Sequence, residues 1–278
     1  NVVRGRGRLQ PHDVLVLGDE AVLDALGGTA VREPVYDAPA RWLPRDRQTE
    51  ATLLGATVVT PMEVLSTHLM EVSRRALPQL MSLGALQRMI AELKETSDTR
   101  RAENHRRFFD GMIPDKVPPE LLLAVLRLLL REGVSVRNLV QIVDTVAEVR
   151  ALEAPEAICE RVRHRIRGQI TESLLDENGT LPTVQLHPMW EAEFARSEGA
   201  APRGAAPLPA RLGARLTEAL QAAIARSGLA RPVVAVPDHR RRLVRALFDA
   251  AGIDAPVIGL DEIEPGAAVR ILATAEVT

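Results

Sequence analysis

From residue 118 to 132 the chain reads Pro-Pro-Glu-Leu-Leu-Leu-Ala-Val-Leu-Arg-Leu-Leu-Leu-Arg-Glu, and apolar residues occupy most positions. Pro118 and Pro119 pre-set φ for a first helical turn, and Gly133 suits the left-handed position that follows a helix, so the pattern predicts one helix over 118–132. Only Arg127, Arg131 and the terminal Glu120 and Glu132 are clearly polar. Such a helix must be covered on most sides. Ser135 is placed to cap a second helix, on which Leu139, Val140, Ile142, Val143, Val146 and Val149 form one apolar stripe. The two make a helical hairpin around which neighbours pack.

On the N-terminal side, short apolar runs alternate with turn residues. Asp13 to Leu17 and Thr57 to Val59 read as strands, and Gly27-Gly28 as a turn. Pro61 then opens a helix through Val64, Leu65, Leu69, Val72 and Leu77, and further helices follow over 83–95 and 98–110. On the C-terminal side, Ile158, Val162, Ile166, Ile170 and Leu174 recur every fourth residue, a row that a helix places on one side, with Arg161, Arg163, Arg165 and Arg167 mostly elsewhere. Asn178-Gly179 marks a tight turn into a strand over 180–186, which Pro182 assigns to a sheet edge. Residues 196–209 lack apolar periodicity and read as a mobile loop. Helix 210–226, strand 232–236, helix 238–251, strand 256–260 and strand 268–273 then alternate in a βαβ manner.

These patterns predict a multidomain α+β protein. A small α+β unit covers 1–80, a central helical domain 81–155, and a C-terminal α/β domain 156–278 carries the loop 196–209.

Composition removes several function classes. The 278 residues include 35 basic and 37 acidic side chains, a formal charge of -2, which gives no global attraction to nucleic acid or anionic lipid. One cysteine, Cys159, excludes an internal disulfide and a cysteine metal cluster, and its place beside an apolar helical row predicts a buried thiol. The six histidines show no paired metal-ligand spacing. Arg4, Arg6 and Arg8 alternate with Gly5 and Gly7 but do not complete a dinucleotide fingerprint. Asp238 after strand 232–236 reads as a helix cap, with Arg240, Arg241 and Arg242 on the surface. Ser66 and His68, two apart on a helix, point to different sides and make no nucleophile pair. The expectation is a protein that is not an enzyme and needs no cofactor. Arg100, Arg101, Arg106 and Arg107 read either as a solvated helix face or as a site for an acidic partner.

The aromatic residues carry more. There is one tyrosine and there are two tryptophans, and Tyr36 and Trp42 fall together in a stretch punctuated by Pro34, Pro39 and Pro44. Trp42 is assigned to local core packing. Tyr36 is assigned to partner contact, because an aromatic on a stiffened segment anchors a partner at low entropic cost.

Three motifs carry a resemblance. Leu129-Leu-Arg-Glu-Gly-Val-Ser-Val-Arg-Asn-Leu139 resembles the Leu-Leu-Arg-Glu-Gly-Val-Ser-Ile-Arg-Asp-Leu signature of the cytoplasmic domain of the type III export gate family, which comprises the flagellar protein FlhA and its injectisome relatives. Thr57-Val-Val-Thr-Pro-Met-Glu-Val-Leu-Ser-Thr-His-Leu69 is similar to that family's Thr-Val-Val-Asp-Pro-x-x-Val-x-Ala-Thr-His-Leu. Glu33-Pro-Val-Tyr-Asp-Ala-Pro-Ala-Arg-Trp42 is similar to its Glu/Asp-Pro-Ala-Phe-Gly-Leu-Pro-Ala-x-Trp. The three stand in the family's order and cover roughly residues 30 to 185.

The resemblance implies the cytoplasmic part of an inner-membrane protein, joined to a membrane domain that this chain lacks, with residues 1–80 supplying parts of the first and second cytoplasmic subdomains. It implies a nonameric ring that docks flagellar export chaperone-substrate complexes and other export components. In the family the docking dimple uses the acid and the aromatic of the third motif with the threonine of the second, which here are Glu33, Tyr36 and Thr67. Tyr36 replaces Phe, Asp37-Ala38 replaces Gly-Leu, Ser66 replaces Ala and Thr60 replaces Asp. Two alternatives stay open, an injectisome export gate homologue and a small-molecule-binding α/β protein acting through its C-terminal domain.

Overall fold

The structure, a computed structural model, describes residues 12–33, 38–149, 154–199, 209–229 and 231–277. The chain divides into two compact units, Asn1–Leu77 and Pro78–Thr278.

In the first unit, β1 (Asp13–Leu17), β2 (Thr29–Arg32), β3 (Pro39–Pro44) and β4 (Thr57–Val59) form an antiparallel sheet in the order β2-β3-β1-β4. Helices α1 (Glu20–Leu26) and α2 (Gln48–Leu53) were not expected from the pattern, being only 7 and 6 residues long. Period-two alternation gives the sheet two apolar faces. Val14, Val16 and Leu43 pack with Leu23, Leu26 and Ala51 of α1 and α2, while Leu15, Ala40 and Trp42 pack with Val64 of α3 (Pro61–Leu80).

The proline-punctuated stretch is therefore not all loop. Its second half is the inner strand β3, and its prolines Pro39 and Pro44 stand at the strand's two ends. Trp42 lies opposite Leu15 and Thr29 and is buried, as core packing requires. Gly28, at φ 87°, lies so close beneath this strand that a Cβ would come within 2.5 Å of the Trp42 carbonyl and of the Leu43 side chain.

The second unit begins with α4 (Leu83–Lys94) and α5 (Thr99–Met112), followed by the hairpin of α6 (Pro119–Arg131) and α7 (Leu139–Val149). Helix α6 ends as its glycine predicts. Gly133 has φ 74°, and the Val134 N–H donates to the Leu129 carbonyl at 2.9 Å, the reverse turn that satisfies the last carbonyls. Ser135 does not cap α7. It accepts from the Arg137 N–H at 3.4 Å within the connecting turn, and α7 opens four residues later.

The row from Ile158 to Leu174 forms α8 (Pro155–Arg165) and α9 (Arg167–Leu174), which meet at Ile166 with φ -100° and ψ 21°. The i to i−4 bonds from Ile166 to Val162 and from Ile170 to Ile166 continue through this bend. The α/β layer follows with β5 (Thr180–Leu186), α10 (Met189–Gly199), α11 (Ala210–Arg226), β6 (Val233–Val236), α12 (Asp238–Ala251), β7 (Val257–Gly259) and β8 (Ala268–Ala275). Helix α10 reaches into the stretch expected as a loop: the Arg196 Nε donates to the Ala192 carbonyl and its guanidinium pairs with Glu193 at 2.6 Å. Residues 200–208 of that stretch lie outside the described residues.

The sheet is parallel, in the order β7-β6-β5-β8, so β5 is an inner strand rather than an edge. Pro182 is tolerated because its pairing with β6 begins only at Thr183, leaving the missing N–H where the strand has one neighbour, β8. Both faces of this sheet are covered, as parallel sheets require. Val234, Val236 and Val184 join Leu216, Leu220, Val244 and Phe248 on one side. On the other, Leu181, Val233, Ala235 and Ile258 belong to the same apolar core as Leu122, Leu126, Ile142, Val146 and Ile158. The core of the hairpin thus runs without a break across residue 155 and into the C-terminal sheet.

Candidate functional site

Glu33 and Thr67 both belong to the first unit, and Tyr36 lies outside the described residues. Glu33 follows β2 directly. Its N–H donates to the Ala38 carbonyl at 2.9 Å. Its exposure is only 8%, so the acid is buried, not on an open rim.

Thr67 lies on α3, whose start is fixed by a reciprocal cap. The Thr60 N–H donates to the Glu63 carboxylate at 2.7 Å, and the Glu63 N–H donates to the Thr60 hydroxyl at 3.3 Å. The bonds from the Thr60 backbone and hydroxyl hold the Glu63 carboxyl below its usual pKa, against a weaker opposing effect of burial. Thr60 thus performs the capping that an aspartate at this place would perform. One turn before Thr67, Val64 packs against Ala40 and Trp42, and Ala40 follows two residues after the Ala38 that holds Glu33. Strand β3 and the helix thus share one small apolar cluster, while Thr67 is exposed.

Arg241, which the sequence places on the surface, and Arg163, which it sets off the apolar row of its helix, are both buried. Arg163 and Arg241 are 2% and 1% exposed. Arg163 donates to both oxygens of Glu262 at 2.6 and 2.8 Å and pairs with Glu132 at 3.1 Å. Arg241 holds the carboxylates of Glu132 and Glu160. Burial pushes the Glu262 carboxyl up, but the bond from Arg163 and the charges of Arg163 and Arg241 outweigh it and hold the group below the usual carboxylate range.

A signal for Arg241 was present. It stands three and seven residues before Val244 and Phe248, both fully buried, and so occupies the inner row of α12. Nor does Asp238 cap its own helix: its carboxylate accepts from the Asp261 N–H at 3.2 Å. Cys159 beside the cluster is a buried thiol, as expected, pushed up to about 12 by burial and by the Glu132 charge. Of the basic residues near α5, Lys94 pairs with Asp110 at 2.6 Å and Arg107 with Glu103 at 2.5 Å within the chain. Among the described residues no group of three or more His, Cys, Asp or Glu is placed to hold a metal ion, and no helix is long and apolar enough to cross a membrane.

The family model described as the FHIPEP family matches residues 1–268. The chain belongs to the FHIPEP family. Among curated FHIPEP relatives, the flagellar biosynthesis protein FlhA of Caulobacter vibrioides is 36% identical over 173 residues, covering 62% of this chain and 24% of that protein. The FlhA of Borreliella burgdorferi is 29% identical over 188 residues, covering 67% and 26%. The chain thus spans about a quarter of the length of the curated relatives it matches.

Among solved structures, the Chlamydia pneumoniae CdsV protein superposes with a TM-score of 0.74 at 20% identity, covering 97% of this chain and 77% of that one. The C-terminal domain of InvA gives 0.64 at 17% identity, covering 96% and 80%. The nonameric EPEC SctV-C gives 0.67 at 17% identity, covering 96% and 79%. These likenesses establish the mixed α+β fold of the type III export gate family's cytoplasmic domains.

Proposed function

We propose that this chain is the cytoplasmic docking platform of a flagellar type III export gate, held at the inner membrane by another part of the same protein. Copies assemble into a ring, and export chaperone-substrate complexes dock at Glu33, Tyr36 and Thr67. The part played is binding, without catalysis or cofactor. The observation that carries the reading is the family match over residues 1–268. It is supported by the single compact unit that holds both Glu33 and Thr67. The flagellar form is favoured over the injectisome form because the curated relatives that match the sequence, those of Caulobacter vibrioides and Borreliella burgdorferi among them, are flagellar biosynthesis proteins.

Calorimetric titration with a flagellar chaperone-substrate complex tests the site. Tyr36→Ala is expected to lower affinity by more than about 1.5 kcal/mol, roughly tenfold, with circular dichroism unchanged, because small docking sites concentrate their energy in the aromatic. Tyr36→Phe keeps the ring and binds nearly as wild type. Wild-type affinity in Tyr36→Ala removes this site from the proposal. A melting-temperature shift with a nucleotide or metabolite, in place of chaperone binding, would favour the small-molecule reading.

A further inference from the structure

Three helices of the second unit meet around a cavity of about 130 Å³: the end of α6, the start of α8 and the body of α12. The half-buried Leu128, the buried Cys159 and Ala246 give it an apolar floor. Around that floor most charges are already bound. Glu132 and Glu160 are held by Arg241, while Arg245 is held by Asp249 at 2.8 Å and by the Ala255 carbonyl at 2.8 Å. These bonds fix the three helices, so the hollow is formed before anything enters it. At its mouth, Arg131, Arg242 and Glu156 are exposed and have no partner among the described residues. The mouth therefore has an excess of positive charge, supplied from two different helices.

We propose that this hollow docks an acidic peptide segment of a partner protein, which inserts one leucine- or phenylalanine-sized side chain over Leu128, Cys159 and Ala246 and sets carboxylates against Arg131 and Arg242. Size and charge choose that occupant. Sites that enclose a whole small molecule run to about 300–1,000 Å³, whereas a hollow near 150 Å³ takes a single group the size of benzene. One buried anchor in a preformed hollow, with opposite charge around it, is how a peptide gains affinity at small ordering cost. The hollow belongs to the second unit, while Glu33 and Thr67 belong to the first. Loss of chaperone docking at the first unit would leave this site standing.

Methyl chemical shifts of Leu128 and Ala246 in the 278-residue chain test it, titrated with acetyl-Glu-Phe-Glu-amide and with acetyl-Lys-Phe-Lys-amide, which share the ring and differ in the sign of their charges. The expected result is saturable movement of both signals with the acidic peptide, and a dissociation constant at least about fivefold higher for the lysine peptide, the combined effect of two exposed ion pairs. In the double variant Arg131→Gln, Arg242→Gln the two peptides bind alike. Ala246→Phe fills the hollow from an exposed position and abolishes the movement of Leu128; if it alters the circular dichroism, the double variant carries the test. No movement of either signal at about 5 mM acidic peptide overturns the proposal, since one anchored side chain with two such pairs supports binding near about 1 mM. Equal or tighter binding of the lysine peptide assigns the mouth to Glu156 and overturns it. Movement of Leu128 that persists in a folded Ala246→Phe puts the peptide elsewhere, and movement on concentrating the chain alone identifies a second copy as the occupant; either overturns it too.

Discussion

Arg241 on α12 grips Glu132, the residue that follows α6, across 109 positions of sequence. The contact belongs to a group in which two buried arginines, Arg163 and Arg241, face the buried Glu262 and the partly exposed Glu132 and Glu160. It joins the helical hairpin to the C-terminal α/β layer.

Removing Arg241 strands those carboxylates with half their countercharge. Breaking a buried ionic group by deleting one member costs about 3–5 kcal/mol. Arg241→Ala is therefore expected to lower the urea midpoint by a corresponding amount at pH 7, and by less near pH 4, where a stranded carboxylate can take up a proton. An unchanged midpoint at pH 7 would show that solvent already screens the group.

Glu262 sets a direction for pH. Its folded-state pKa lies below that of the unfolded chain, so its contribution is fully present above the unfolded value of about 4.3 and is lost as pH falls through the lower folded value. Stability should thus fall on the acid side of about pH 4. Glu262→Gln should flatten that limb in a series of denaturant titrations, whereas an identical acid limb would assign the loss to other carboxylates.

Leu126 is fully buried in the hairpin core. Leu126→Ala should cost roughly 2–5 kcal/mol, read as a lower denaturant midpoint with the slope unchanged. A midpoint equal to wild type would place the side chain outside the core.

Gly28 holds the β2–β3 hairpin by lacking a side chain. Gly28→Ala meets both a positive φ of 87° and the Trp42 carbonyl at 2.5 Å, and is expected to destabilise the first unit by more than about 1 kcal/mol. Hydrogen exchange of the β3 amides reads this locally, and wild-type protection there would mean that the backbone adjusts without cost.

Much of the fold was legible because it follows from local pattern. The apolar run of α6 with its proline start and Gly133 stop, the four-residue row of α8 and α9, and the alternating strands and helices after residue 210 each carry their own signal. Pairing across long separations was not legible. Nothing near Pro182 tells that β6 will lie on the far side of β5, and nothing near Trp42 tells that β1 will turn a proline-bounded segment into an inner strand. Burial of a charge is equally non-local: Arg241 reads as a surface residue, and Arg163 lies off the apolar row, until Glu132 and Glu262 are brought to them by the fold. Near Glu33 and Thr67, the capping by Thr60 and the bond from the Glu33 N–H to the Ala38 carbonyl rest on backbone groups that residue types alone do not announce.

The shared core that places Leu181, Val233, Ala235 and Ile258 among the hairpin leucines has a consequence for modularity. The C-terminal α/β layer is not a detachable cassette. Ending the chain near residue 155 would strip the apolar lining from one side of α6, α7 and α8 and leave Glu132 without either arginine. A graft of residues 156–278 onto an unrelated scaffold would carry one face of its sheet bare. Exchange of parts between members of the family through recombination is therefore constrained to move hairpin and sheet as one block.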